Sequence, residues 1–311
     1  MNRVAMPKIL GCASWLILLP PTGLAAEPSF DRTQDIIYGR KFGTALTMDV
    51  FTPKKDAKGI GVIVIISGGF VSSHEAILPA FVQPLTDRGY TAFAVVHGSQ
   101  PRYTIPEIIQ DMNRAVRFIR FHAADYGIEP NHLGAAGASA GGHLALMLGT
   151  AGGPGDPEAK DPVDRVSSCV QAVACLFPPT DFLNYGKPGN EKIHPMDHDP
   201  RFRAAFDYRE LDRQTMLWVP ITDPERLRKI TRDISPISHV TREDSPTLII
   251  HGDKDPLVPL QQSERIVDEL KKVGVEARLI VKKGAAHGWL GLEKDLLQLA
   301  DWFDKHLKKA A

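Results

Sequence analysis

The sequence predicts an α/β fold, a mainly parallel central sheet with helices on both faces. Continuous apolar, β-branched runs such as Gly61–Ile66 and Thr91–Val96 suit strands buried on both sides. Other stretches carry apolar residues at helical spacing, with Ile108, Met112, Ala115, Val116 and Ile119 the clearest set. The two kinds alternate from residue 61 onward, the pattern of parallel strands joined by crossover helices. A chain of 311 residues with 43% hydrophobic content suits one large globular domain.

The N-terminus reads as a separate element. Arg3 and Lys8 precede an apolar run from Ile9 to Leu19, Pro20-Pro21 ends it, and the small residues of Thr22–Ala26 follow. This is the pattern of a secretory signal peptide over residues 1–26, cut after Ala25 or Ala26. The run falls short of the ~20 residues that span a bilayer, so no stable membrane anchor is expected. Export would place Cys169 and Cys175 in an oxidising setting. They lie on what reads as one strand, six residues or about 20 Å apart, so two unpaired thiols are expected.

The expected domain is 27–311. Gln34–Arg40 and Thr44–Thr52 read as a hairpin around Lys41-Phe42-Gly43. After the strand Gly61–Ile66 comes Ser67-Gly68-Gly69-Phe70, then a helix over Ala76–Arg88 closed by Gly89. The strand Thr91–Val96, a helix over Ile105–Tyr126 stopped by Gly127, and the strand Leu133–Ala138 follow. Gly152–Ser168 is a surface loop and Val170–Phe177 a strand. Residues 178–233 show no evident regular structure and are rich in Pro, Asp, Arg and aromatics. Loops this long are usually functional, and this one reads as a cap or lid insertion; Arg201–Trp218 reads either as a lid whose apolar face covers the site or as an ordinary surface excursion. The chain closes with the strand Thr247–His251, the helix Leu260–Val273, the strand Glu276–Lys282 and the helix Glu293–Leu307.

Gly137-Ala138-Ser139-Ala140-Gly141 stands where a strand of small residues meets a helix. G-x-S-x-G at such a junction is the pattern of a nucleophile elbow. A serine nucleophile needs a base, and the base needs an orienting partner. In open α/β sheets these groups sit on loops at the carboxyl ends of strands. Asp255 follows the strand Thr247–His251, and His287 is the only histidine between the last strand and the last helix. Asp253 is the alternative acid, but it directly follows Gly252 and suits turn hydrogen bonds. An oxyanion hole would use the Ala140 N–H together with those of Gly69 and Phe70.

These segments, Gly137–His143, His251–Pro259 and His287-Gly288-Trp289, resemble the α/β-hydrolase superfamily. Within it the chain is similar to bacterial esterases related to hormone-sensitive lipase and to feruloyl and acetyl-xylan esterases, over residues 34–310. The resemblance implies an α/β-hydrolase fold with a cap or lid insertion before the strand carrying the acid. It also implies ester hydrolysis through Ser139, Asp255 and His287 by way of an acyl-enzyme, on small acyl or carbohydrate esters, with no cofactor. Those esterases usually carry His-Gly-Gly in the oxyanion loop, and Ser67 stands where the histidine would be. The elbow and the Asp255 segment also resemble the catalytic domain of prolyl oligopeptidases, which usually carry a large propeller; here about ten residues separate Ala26 from the first strand. A non-catalytic binding protein on the same fold is a third reading, and the ordered triad argues against it.

Balanced charge, 37 Lys+Arg against 37 Asp+Glu, argues against a nucleic-acid partner. The segment His194-Pro195-Met196-Asp197-His198-Asp199 has ligand-type residues, but no strand or helix to fix them, so a solvated loop is expected and no metal. Asp111 is expected to pair with Arg114 along one helix. The sequence carries no signal of oligomeric state.

Overall fold

The structure is a computed structural model that describes residues 28–186 and 199–307. The expected signal peptide and the residues His194–His198 lie outside the described residues. An eight-stranded sheet organises the chain. Strands β1 (Phe30–Lys41) and β2 (Thr44–Pro53) form the expected hairpin, and β2 pairs antiparallel with β4 (Thr91–Val96). The remaining pairings are parallel: β4 with β3 (Gly61–Ile66), β3 with β5 (Leu133–Ala138), and β5 with β6 (Ala172–Leu176). The two strands of the expected 178–233 insertion are β7 (Arg209–Asp212) and β8 (Leu217–Pro220). Beyond them, β9 (Thr247–Gly252) pairs with β6, and β10 (Ala277–Lys282) pairs with β9. The fold is that of an α/β hydrolase, with a mainly parallel sheet.

The apolar runs divide by side-chain parity. Ile63, Ile65, Phe93, Val95, Leu133, Ala135 and Ile249 enter one core, against α2 (Ile105–Phe121), α3 (Ala140–Ala151) and α5 (Gln261–Lys272). Val62, Val64, Ala92, Ala94, Ala172, Ala174 and Ile250 enter the other, against α1 (Pro79–Thr86) and α6 (Glu293–His306). A period of two with both faces apolar is what burial on both sides requires. Because β3, β4, β5, β6, β9 and β10 run the same way, their carboxyl ends share one edge. The segments after Ile66, Val96, Ala138, Leu176, Gly252 and Lys282 therefore meet there.

Several expectations need correction. The first crossover helix is shorter than Ala76–Arg88. Pro79 forces Leu78 into an extended conformation (φ −99°, ψ 117°), so α1 starts at Pro79 after a separate turn, His74–Ala76. Ile105–Tyr126 is α2 followed by a 3₁₀ turn, Ala123–Tyr126, ending at Gly127 in the left-handed region (φ 63°). Residues 178–233 are not wholly irregular: β7 and β8 pair with each other, and α4 (Pro224–Asp233) follows. The start of α4 was legible, because Asp223 caps it by accepting from Arg226 N and Pro224 takes the first helical position. Strand β6 begins at Ala172, so Cys169 lies outside it; Cys169 and the buried Cys175 are both free.

Asp111 does not pair with Arg114. Its carboxylate sits on the buried face of α2, where Lys41 Nζ approaches Oδ2 to 2.6 Å and Gly98 N to 2.9 Å. Arg114 turns instead to Asp161 (2.7 Å) and Asp164 (2.9 Å). A buried carboxylate needs donors on its own face, and the end of β1 supplies one. Among the described residues, no helix is long and apolar enough to cross a membrane.

Candidate active site

Strand β5 delivers Ser139 in a backbone conformation uncommon for a residue with a side chain (φ 54°, ψ −120°). The turn is tight enough to require glycine on both sides. A Cβ on Gly137 would lie 2.4 Å from the Gly141 backbone, and one on Gly141 would lie 2.7 Å from Ile65 O. Ser139 N donates to Leu176 O (2.9 Å), which ties the elbow to the neighbouring strand. Helix α3 begins at Ala140, so the Ala140 N–H is one of its unsatisfied N-terminal donors.

The edge of the sheet brings Ser139, His287 and Asp255 together. Ser139 Oγ is 2.8 Å from His287 Nε2, and His287 Nδ1 is 2.6 Å from Asp255 Oδ2. Nδ1 faces a carboxylate and carries the proton, so Nε2 offers its lone pair to the serine hydroxyl. Asp255 Oδ1 accepts from Leu257 N (2.8 Å) and Val258 N (2.9 Å), and its side chain is closed to solvent. Burial alone would raise its pKa. Hydrogen bonds from His251 and His287, then the His287 charge, outweigh burial and hold the carboxyl well below the usual range. Asp253 does not reach His287; it accepts from Gly284 N at 2.7 Å. The ring of Phe177, just past β6, packs on His287 with centroids 4.4 Å apart and also on Trp289 at 5.7 Å.

Gly69 and Phe70 are the central residues of a tight turn. Gly68 N donates to Val71 O (2.9 Å) and Val71 N to Gly68 O (3.0 Å). Both central residues have positive φ, 56° and 64°, as a type I′ turn requires. Among the described residues, the N–H groups of Gly69, Phe70 and Ala140 have no protein acceptor. These three residues and Ser139 line one small cavity, whose other walls are Pro179, Phe182, Tyr185, Phe202, Leu257 and Val258. Residues 178–233 thus supply four of the walls. Of Arg201–Trp218, only Phe202 lines the cavity; Met216, Leu217 and Trp218 are exposed on the β7–β8 hairpin. Among the described residues, the strands of that hairpin pair only with each other and not with the main sheet.

Ser67 is not left without support. His97, at the end of β4, places Nε2 2.8 Å from Ser67 Oγ and Nδ1 2.8 Å from Gly98 O. Nδ1 donates to the carbonyl, so Nε2 accepts from the Ser67 hydroxyl. Gln100 holds the turn itself: its Nε2 donates to Gly69 O (2.6 Å) and Arg201 O (3.0 Å), while its backbone N donates to Phe70 O (3.1 Å). In a trans peptide the C=O and N–H point opposite ways, so anchoring Gly69 C=O aims the Phe70 N–H away from Gln100. Neither His97 nor Gln100 stands out in the sequence. Their position directly after the strand Thr91–Val96, on the same sheet edge as the elbow, is the signal that marks them.

Two buried histidines beside the site give a pH dependence. His97 and His143 each have their pKa lowered to about 4, by burial first, partly offset by bonds to the Gly98 and Ile234 carbonyls. His143 is one turn past Ser139, and its ring meets Phe70 edge-on at 5.4 Å. Unfolded histidine titrates near ~6.5, so between about 6.5 and about 4 the unfolded chain binds more protons than the folded one. The stabilisation is complete above that window and falls as pH drops through it, by up to ~1.4 kcal/mol per pH unit for each histidine. Urea midpoints at pH 7, 6 and 5 are expected to decrease in that order; a flat series contradicts neutral burial.

The arrangement can move a proton from a hydroxyl to an imidazole and hold a developing oxyanion on backbone N–H groups. Comparison with known proteins agrees with the fold. Residues 48–270 match the BD-FAE family. The chain is 28% identical over 244 residues to the probable carboxylic ester hydrolase LipM of Mycobacterium tuberculosis, covering 77% of this chain and 52% of that protein. It is 27% identical to the esterase LipC of the same organism, covering 87% of this chain and 63% of LipC. The chain thus spans about half to two thirds of the length of these two relatives. Among solved structures, a truncated carbohydrate esterase from gut microbiota superposes with TM-score 0.73 at 25% identity, covering 91% of this chain and 99% of that one. An acetyl ester-xyloside bifunctional hydrolase from Caldicellulosiruptor lactoaceticus superposes with TM-score 0.67 at 24% identity, covering 91% and 96%. With 48–270 matched and the α/β-hydrolase fold in place, this chain belongs to the BD-FAE family of the α/β-hydrolase superfamily.

Proposed function

We propose that the chain is an exported serine carboxylic-ester hydrolase acting through Ser139, His287 and Asp255. The observation that carries this reading is the 2.8 Å contact from Ser139 Oγ to His287 Nε2, with Ser139 lining a cavity together with Gly69, Phe70 and Ala140. Ser139 Oγ attacks the ester carbonyl as His287 Nε2 takes its proton. The backbone N–H groups of Gly69 or Phe70 and of Ala140 hold the oxyanion. His287 then returns the proton to the departing alcohol, leaving an acyl-enzyme. Water, deprotonated by His287, releases the acid and restores Ser139. Asp255 stays ionised throughout and stabilises the imidazolium.

The walls Phe182, Tyr185, Phe202 and Leu257 make the cavity apolar beside Ser139, which suits a small acyl group. The relatives named as carbohydrate esterase and acetyl ester-xyloside hydrolase support esters of carbohydrates as the substrate class. Residues 178–233 act as a partial cap by supplying Pro179, Phe182, Tyr185 and Phe202. The pattern of residues 1–26 supports export. The chemistry is tested with p-nitrophenyl acetate against the p-nitroanilide of the same acid. The test uses protein recovered from the periplasm or medium, where an N-terminus at Ala26 or Glu27 marks removal of the leader. The ester is expected to turn over and the anilide to remain; efficient anilide cleavage would overturn the esterase reading in favour of a peptidase.

A further inference from the structure

Asp255 meets a second histidine. His251, the fifth residue of β9, is fully buried, and its Nε2 lies 2.9 Å from Val258 O and 3.2 Å from Asp255 Oδ2. Both neighbours are acceptors, so Nε2 carries the proton and shares it between them, Val258 O being the nearer. Nδ1 lies 2.6 Å from the buried Ser263 Oγ in the first turn of α5. With its proton on Nε2, His251 accepts the Ser263 hydroxyl at Nδ1. The bonds form one directed chain, Ser263 to His251 to Asp255, which meets the chain from His287 on the same carboxylate oxygen.

Asp255 Oδ1 is thus held by two backbone N–H groups, and Oδ2 faces two imidazole nitrogens, His287 Nδ1 at 2.6 Å and His251 Nε2 at 3.2 Å. Phe177 packs against both histidines, with centroids 4.4 Å from His287 and 6.4 Å from His251. We infer that His251 is a positioning residue for the reaction: its Nε2–H fixes Asp255 Oδ2 on His287 Nδ1, and Ser263 fixes the His251 tautomer that makes this possible. The inference rests on the triad reading of the proposed function.

Without His251, Asp255 Oδ2 loses one of the two imidazole neighbours that fix it, and the carboxylate can rotate off His287.

The test compares His251→Phe, His251→Gln and Ser263→Ala in the full chain. It measures p-nitrophenyl acetate kinetics at neutral pH, with a urea midpoint for each variant. His251→Phe is expected to lower kcat about tenfold at unchanged KM. His251→Gln keeps an amide donor at the Nε2 position and is expected to retain most of the rate. Ser263→Ala is expected to lower kcat by less, again at unchanged KM, and it carries the test should His251→Phe fail to fold. A kcat unmoved in the Phe and Ala variants, a KM that rises in step with the loss of kcat, or a Gln variant as impaired as the Phe variant, overturns the inference. Failure of the triad reading is distinguishable, because the wild type would then resist active-site serine reagents.

Discussion

Ser139→Ala is expected to lower kcat for p-nitrophenyl acetate by about 10⁵- to 10⁶-fold, with the fold intact. The size follows from what is removed. Among the described residues, no other hydroxyl lies on His287 Nε2, so the base keeps its lone pair but has no nucleophile to activate. The Gly69, Phe70 and Ala140 N–H groups and the cavity walls remain, and such groups alone retain ~10³- to 10⁴-fold catalysis over water. The fold survives because alanine meets the same backbone requirement at φ 54° that serine meets, and the small Cβ is already accommodated. Stability measured by urea unfolding is expected to stay close to wild type while the rate collapses. A variant that loses the rate by unfolding would not bear on the role of Ser139.

Asp255→Asn is the second large effect, a loss in kcat of about 10⁴-fold at neutral pH. The backbone decides how the amide sits. Leu257 N and Val258 N both donate to Oδ1, so the amide oxygen takes that side and the NH₂ group takes the place of Oδ2. The NH₂ then faces His287 Nδ1, which must become an acceptor, and the His287 proton moves to Nε2. In that tautomer the ring cannot take the Ser139 proton. The NH₂ also meets the His251 Nε2–H, a second donor-to-donor contact. Asp253→Asn is the control, because that carboxylate accepts from Gly284 N and an amide oxygen can do the same. Steady-state kinetics on the two variants separate the roles: a comparable loss in both, or in neither, contradicts the assignment of Asp255.

The parts of the site legible in the sequence are those set by local spacing. The elbow needs glycines two residues either side of Ser139, and the close approaches of Gly137 and Gly141 show why. Asp255 and His287 follow strands recognisable as apolar runs, so their place on one edge follows from parallel topology. The Gly69–Phe70 turn was marked by Gly68-Gly69 directly after β3. What was not legible depends on tertiary juxtaposition. Lys41 claims Asp111 because the end of β1 passes α2, a contact between residues 70 apart. His97 supports Ser67 from the next strand in the sheet, 30 residues on, and Gln100 reaches both the turn and the backbone of Arg201. The β7–β8 hairpin has strands of only four residues with mixed exposure, too short for a period of two to stand out. Residues 178–233 supply cavity walls through Pro179, Phe182, Tyr185 and Phe202, and no periodicity marks those four as neighbours.

The central claim is that Ser139 is the activated nucleophile. Treating the folded protein with a fluorophosphonate, then reading intact mass and peptide maps, tests it directly, because the reagent reacts with a serine whose proton is taken by an adjacent base. One adduct per chain on the peptide containing Ser139, absent from Ser139→Ala and strongly slowed in Asp255→Asn, is the predicted result. Folded wild-type protein that stays unlabelled, or that carries its adduct on Ser67 or another residue, contradicts it.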